Sequence, residues 1–163
     1  MDTARAVGGE FARRGIQLVY GGGRVGLMGA AASTALAAGG KVVGVIPKAM
    51  VEREWANHEV TELVLTADMH ERKAVMAARS DAFLVLPGGI GTLEELFEVM
   101  SWAYLRFHHK PIVLLDPTNY YAPLIAMLHS MVDGGFIDRD TLQLLRIARD
   151  VHGALSQFET ALP

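Results

Sequence analysis

Ser80-Asp81-Ala82-Phe83-Leu84-Val85-Leu86-Pro87-Gly88-Gly89-Ile90-Gly91-Thr92-Leu93-Glu94-Glu95-Leu96-Phe97-Glu98-Val99-Met100-Ser101-Trp102-Ala103-Tyr104-Leu105-Arg106 is the stretch that decides the fold. Ala82 to Leu86 is a short apolar run and reads as a strand buried on both faces. Pro87 stops it, and Gly88, Gly89 and Gly91 let the backbone turn where side chains would clash. Thr92 reads as a helix N-cap, with Glu95 completing a capping box. Leu93, Leu96, Phe97, Met100, Ala103, Tyr104 and Phe107 then follow at amphipathic helical spacing. A strand, a glycine loop and a helix N-terminus together present bare N–H groups and a positive dipole end to an anion of phosphate size.

Upstream, Asp2 to Arg14 reads as a helix ended by Gly15, and Ile16 to Tyr20 as a strand. Gly21-Gly22-Gly23-Arg24-Val25-Gly26-Leu27-Met28-Gly29 is a second glycine loop, opening an Ala-rich helix that runs to about Ala38 and is closed by Gly39-Gly40. Lys41 to Ile46 is a strand ending at Pro47. Lys48 to Val60 is a polar loop with room for one helical turn. Glu62 to Leu65 is a strand, and Asp68 to Ser80 a helix with Asp68 as cap and Glu71 at the box position. Downstream, Pro111 to Leu115 is a buried strand and Tyr121 to Val132 a helix closed by Gly134-Gly135. A short helix over Asp138 to Leu145, a strand over Arg146 to Ala148 and a helix over Asp150 to Thr160 complete the chain. Strands alternating with helices predict one Rossmann-like α/β domain over residues 1–163, a doubly wound parallel sheet with helices on both faces. Ligands bind such sheets at the carboxyl ends of the strands, where both glycine loops fall.

The totals narrow the function. The chain of 163 residues is 51% hydrophobic, yet no apolar run approaches the ~20 residues that span a bilayer. Residues 1–14 do not resemble a secretory signal, so the cytoplasm is the expected location and no membrane partner is expected. A net charge of −3 without a basic run argues against nucleic acid as a partner. With no cysteine, disulfides, thiolate metal sites and cysteine nucleophiles are excluded. Gly21, Gly23 and Gly26 match a dinucleotide fingerprint, but the acid that should hold the ribose ~20 residues on is absent, the position being near Lys41. NAD is therefore rejected. The second loop lacks the Lys-Ser/Thr of a P-loop, so the residues do not support nucleoside triphosphate hydrolysis. The glycines could serve only tight turns, but two such loops in one short chain point to anion binding.

Glu95 has two readings: it caps its own helix, or it stands at the rim of an anion site as base, nucleophile or oxocarbenium stabiliser. Arg72 shares a helix face with Met69 and Met76, where it either snorkels or pairs with an acid at the surface, or reaches a phosphate or the catalytic carboxylate. For Lys73 beside it the surface reading is favoured. The histidines form no metal-binding pattern, and Asp116 before Pro117 reads as turn chemistry.

The motif Pro87-Gly88-Gly89-Ile90-Gly91-Thr92-Leu93-Glu94-Glu95 resembles the PGGxGTxxE signature of the Lonely Guy (LOG) family. These are cytokinin riboside 5′-monophosphate phosphoribohydrolases, long mislabelled as lysine decarboxylases. Val19-Tyr20-Gly21-Gly22-Gly23, Gly26-Leu27-Met28-Gly29, Gly44-Val45-Ile46-Pro47, Asp68-Met69-His70-Glu71-Arg72-Lys73, Ser80-Asp81-Ala82-Phe83 and Trp102-Ala103 also resemble family blocks, in order, over about Leu18 to Phe136. The resemblance implies hydrolysis of the N-glycosidic bond of an adenine-type nucleoside 5′-monophosphate, without a metal or organic cofactor, by a homodimer. It implies Glu95 and Arg72 as catalytic residues. Gly22, Gly23, Met69, Lys73, Gly88, Gly89, Ile90, Gly91 and Thr92 would bind phosphate and nucleotide. A decarboxylase would need a pyridoxal-phosphate lysine site, which the residues do not offer. The alternative is a non-catalytic nucleotide- or cofactor-binding carrier or sensor on the same fold. Two departures stand out. Family members usually open with a strand ending in Cys-Gly-Ser, whereas this sequence starts within the helix that follows it, so the sheet is expected to lack the family's first strand. Tyr104-Leu105-Arg106 stands where plant members tend to carry Gln-Leu-Gly.

Overall fold

The structure, a computed structural model, describes residues 1–51, 53 and 55–161. Two of the residues in the polar loop predicted over Lys48 to Val60, Glu52 and Glu54, therefore lie outside the described residues. The chain divides into two compact units, Met1–Ser80 and Asp81–Pro163, each built on a three-stranded parallel sheet.

The first unit runs α1 (Asp2–Arg13), β1 (Leu18–Tyr20), α2 (Gly26–Ala37), β2 (Val42–Pro47), α3 (Lys48–Val51), β3 (Glu62–Thr66) and α4 (Met69–Ala78). The sheet order is β1-β2-β3, with Leu18 beside Val42 and Val43 beside Glu62. The middle strand is the one with an unbroken apolar run, and all six of its residues are buried. This is what a parallel strand covered on both faces requires. The inner face of α1 is Ala4, Val7, Gly8 and Phe11, at helical spacing. Gly8 lies so close to α2 that a Cβ there would sit 2.2 Å from the Ala31 carbonyl oxygen. The small buried residues of α2, Gly29, Ala31, Ala32 and Ala35, suit this close approach of two helix backbones. On the outer face of α1, Glu10 takes the guanidinium groups of both Arg13 and Arg14. Their hydrogen bonds hold its carboxyl at about 2, below the usual range.

The second unit runs β4 (Phe83–Val85), α5 (Ile90–Tyr104), β5 (Ile112–Leu115), α6 (Ala122–Asp133), α7 (Arg139–Gln143), β6 (Leu145–Ala148) and α8 (Val151–Glu159). The order is β4-β5-β6, and β5 in the middle is wholly buried. Val85, Leu96, Met100, Ile112, Leu114, Tyr121, Leu128 and Leu145 form the core. At about 1.5–3 kcal/mol for each large side chain taken from water, this cluster is the main support of the unit. His108 joins its edge. Its Nδ1 accepts from the Lys110 amide at 3.1 Å and its Nε2 lies 2.9 Å from the Val99 carbonyl, so the imidazole is neutral with the proton on Nε2.

The predicted helix stops hold where glycine takes up a left-handed conformation: Gly15, Gly39 and Gly135 have φ between 69° and 78°. At α4 the predicted Asp68 cap forms, while the bond from its Glu71 partner is shifted by one residue from the predicted capping box. Asp68 Oδ1 accepts from the Glu71 amide, and the Glu71 carboxylate reaches back to the Ala67 amide. The box predicted at α5 does not form. The N-cap there is Gly89, with no side-chain cap.

Candidate functional site

The signature loop lies entirely in the second unit. β4 ends at Val85, and the chain turns through Leu86, Pro87 and Gly88 into α5. Gly89 is extended (φ −94°, ψ −151°), and its carbonyl accepts the first helical bond, from the Leu93 amide at 3.1 Å. Thr92 is therefore the third residue of the helix rather than its cap. Its side chain packs on Gly88 instead, where an added Cβ would fall 2.1 Å from Thr92 Oγ1. Glu95 sits in the second turn, too far along to reach the N-cap amide, so capping does not explain it. The amides of Ile90, Gly91 and Thr92 are the first of α5, which leaves them without intrahelical partners at the positive end of the dipole. Gly89, Ile90 and Gly91 are exposed, and Thr92 and Glu95 half-buried.

Two side chains that the sequence reading missed hold this loop. Tyr120 Oη donates to the Gly88 carbonyl at 2.8 Å, and Tyr121 Oη donates to the Leu86 carbonyl at 2.7 Å. The rings meet edge to face, 4.9 Å between centroids. Asp116, buried at the end of β5, accepts from the Tyr120 amide at 2.7 Å and the Tyr121 amide at 3.2 Å. Arg149 donates to the Asp116 carbonyl at 2.8 Å and to Asn119 Oδ1 at 3.1 Å. Asn119 takes up φ 61°, which asparagine tolerates. Asp116 is turn chemistry as expected, but the turn it makes carries both tyrosines. Burial pushes the Tyr121 phenol up, consistent with a hydroxyl that donates and stays neutral.

In the first unit, the glycine loop after β1 is shaped by close approaches. A Cβ on Gly21 would lie 1.8 Å from Arg72 Nη2, so the guanidinium passes directly over this glycine. Arg72 Nε donates to the Val45 carbonyl at 3.2 Å. Gly22, with φ 73°, packs on Val45 and Ile46. The loop is also paired: Gly23 bridges Ala56, the Gly22 carbonyl accepts from the Asn57 amide, and the Arg24 amide donates to the Trp55 carbonyl. Arg72 and Lys73 are both buried, at 6% and 8% exposure. This overturns the surface reading for Lys73 and the snorkelling alternative for Arg72, because a buried cation needs a polar or anionic partner. Met69, the first residue of α4, is 42% exposed. Met69, Arg72, Lys73, Gly22 and Gly23 thus belong to one unit, and Gly88 to Thr92 with Glu95 to the other.

A parallel α/β chain with a glycine loop at a strand end and a helix N-terminus beyond it defines a Rossmann-like nucleotide-binding class of protein. A family model described as "Possible lysine decarboxylase" matches residues 28–158. A cytokinin riboside 5′-monophosphate phosphoribohydrolase of Mycobacterium tuberculosis is 48% identical over 95% of this chain and 83% of its own length. The enzyme of the same name from Rhodococcoides fascians is 47% identical over 98% of this chain and 81% of its own. Among solved structures, the molybdenum cofactor carrier protein of Chlamydomonas reinhardtii is 25% identical with a TM-score of 0.71, covering 98% of this chain and 86% of that one. The molybdenum cofactor binding protein of Rippkaea orientalis, 22% identical with a TM-score of 0.72 over 98% of this chain and 85% of that one, shares the fold. The chain belongs to the LOG family, whose curated relatives are cytokinin riboside 5′-monophosphate phosphoribohydrolases and whose family model carries the decarboxylase description.

Proposed function

We propose that this protein hydrolyses the N-glycosidic bond of adenine-type, cytokinin nucleoside 5′-monophosphates to the free base and ribose 5-phosphate. The observation that carries this reading is the 47–48% identity to phosphoribohydrolases over nearly the whole chain. In this scheme the amides of Gly89, Ile90, Gly91 and Thr92, opened by the turn at Gly88, receive the 5′-phosphate. Gly22 and Gly23 offer backbone to the nucleotide, and Met69 an apolar surface. Arg72 and Lys73 supply positive charge. As the bond from C1′ to the base nitrogen breaks, the sugar gains oxocarbenium character, which the Glu95 carboxylate stabilises. Glu95 also orients a water, whose oxygen bonds to C1′ while its proton passes by way of the carboxylate to the departing base.

Glu95→Gln tests the scheme. It should abolish release of free base from isopentenyladenosine monophosphate while nucleotide affinity stays within about tenfold, because a carboxylate near a phosphate favours the transition state over the ground state. A variant with the wild-type rate overturns the role. A wild-type protein that returns bound nucleotide intact favours the carrier reading, to which the likeness to the molybdenum cofactor carrier gives some weight.

The proposal extends to assembly and location. Phe97, Tyr104 and Phe107 are 39%, 55% and 76% exposed along α5 and its exit, a run of large apolar side chains left in water. A two-fold homodimer that packs α5 on a second copy would cover it. A monomer by light scattering at micromolar concentration overturns this. The cytoplasm is the proposed site of action. Among the described residues no helix is long and apolar enough to cross a membrane, and recovery in a membrane fraction would count against the assignment.

A further inference from the structure

We infer that Tyr120 is a positioning residue for the phosphate seat, its hydroxyl fixing the Gly88–Gly89 peptide so that the Gly89 amide faces the anion. The inference rests on the proposed hydrolase reading. The Tyr120 hydroxyl holds the Gly88 carbonyl oxygen at 2.8 Å. No peptide bond among the described residues is cis, so carbonyl and amide of this peptide point in opposite directions. Fixing the oxygen toward Tyr120 therefore turns the Gly89 N–H to the far side. Two glycines in succession would otherwise let this peptide rotate freely.

The placement of Tyr120 suits this role better than a role in holding the core. Its ring is 53% exposed, whereas Tyr121 beside it is 2% exposed and belongs to the core cluster. An exposed phenol that spends its hydroxyl on one loop carbonyl adds little to global stability. Its position is set from below: Asp116 holds its amide, Arg149 holds Asp116, and the left-handed Asn119 brings the chain round. The device joins the end of β5 to the loop after β4 within one unit, and it holds a carbonyl on the residue just before the α5 N-cap.

Tyr120→Phe removes the hydroxyl and keeps the ring. The expected result has three parts. KM for adenosine 5′-monophosphate rises about three- to tenfold, the range for losing one hydrogen bond, while kcat changes less than about twofold. Binding of adenosine, which lacks the phosphate, is unchanged. Amide hydrogen exchange across residues 86–92 quickens by a similar factor with the melting temperature within about 1 °C of wild type, the mark of local rather than global loosening. Unchanged KM and unchanged exchange overturn the inference, as does a fall in melting temperature with equal losses for nucleotide and nucleoside. The exchange measurement needs no turnover. If the wild-type protein cleaves no nucleotide, the hydrolase reading falls, and exchange in the presence of adenosine 5′-monophosphate decides the inference alone.

Discussion

Gly21→Ala is the substitution in which the first unit's geometry makes the sharpest demand. A Cβ on Gly21 would lie 1.8 Å from Arg72 Nη2 and 2.9 Å from Cζ. Ordinary contact is about 3.5–4 Å, so Nη2 must retreat by about 1.7–2.2 Å. The Arg72 Nε bond to the Val45 carbonyl is already 3.2 Å long and breaks with the same movement. The clash is with the tip of a flexible side chain, not with backbone, so the fold should survive at a cost of about 1 kcal/mol. Catalysis should not. With Arg72 in the substrate-binding role proposed above, a displacement of an ångström or more can cost about 100-fold, and we expect kcat/KM for isopentenyladenosine monophosphate to fall about 30- to 100-fold, or about 2–3 kcal/mol of transition-state stabilisation. The assay is chromatography of released base, run beside thermal unfolding. A kcat/KM within about twofold of wild type would show that the seating of Arg72 over Gly21 is immaterial. Loss of fold together with activity would refute the claim that the side chain can give way.

Gly8→Ala should behave in the opposite manner: its Cβ meets the Ala31 carbonyl oxygen at 2.2 Å, backbone that cannot swing aside. We expect a loss of about 1–3 kcal/mol in urea unfolding as α1 and α2 part, and an unchanged midpoint would contradict the close crossing. His108 titrates below the ordinary histidine value, chiefly through burial, with Lys110 and His109 adding to it. Its contribution to stability is therefore complete above about pH 6.5 and is lost as pH falls through the lower folded value, because the unfolded state binds the proton first. An NMR titration that places His108 at or above the free value would sink this.

The alternation of strands and helices was legible because the signals are local. Continuous apolar runs mark β2 and β5, and glycines in left-handed conformation mark helix ends. The start of α5 was misread by three residues. Thr92 and Glu95 have the spacing of a cap, but spacing cannot reveal that Gly89 already turns the chain and that the Thr92 side chain is engaged with Gly88. Burial of Arg72 and Lys73 was equally hidden, since a charged pair on a helix looks the same in sequence whether it meets water or a neighbouring strand. Tyr121 reads only as the start of a helix, and Tyr120 carries no signal in the sequence. Their partners Gly88 and Leu86 lie 32 and 35 positions earlier, and no periodicity reports such a contact.

Those separations bear on how the protein acquires its shape. The Gly88 turn receives its tyrosine bonds from residues 32 and 35 positions downstream. The first glycine loop is likewise completed by the amides and carbonyls of residues 55–57. Neither loop can settle from neighbouring residues alone, because glycine-rich backbone loses the most entropy on ordering and the compensating bonds come from afar. On a ribosome adding about 5–20 residues per second, each loop stays unformed for roughly two to seven seconds after it is made. Strand and helix on either side can form in that interval, so each glycine turn orders after the elements that flank it.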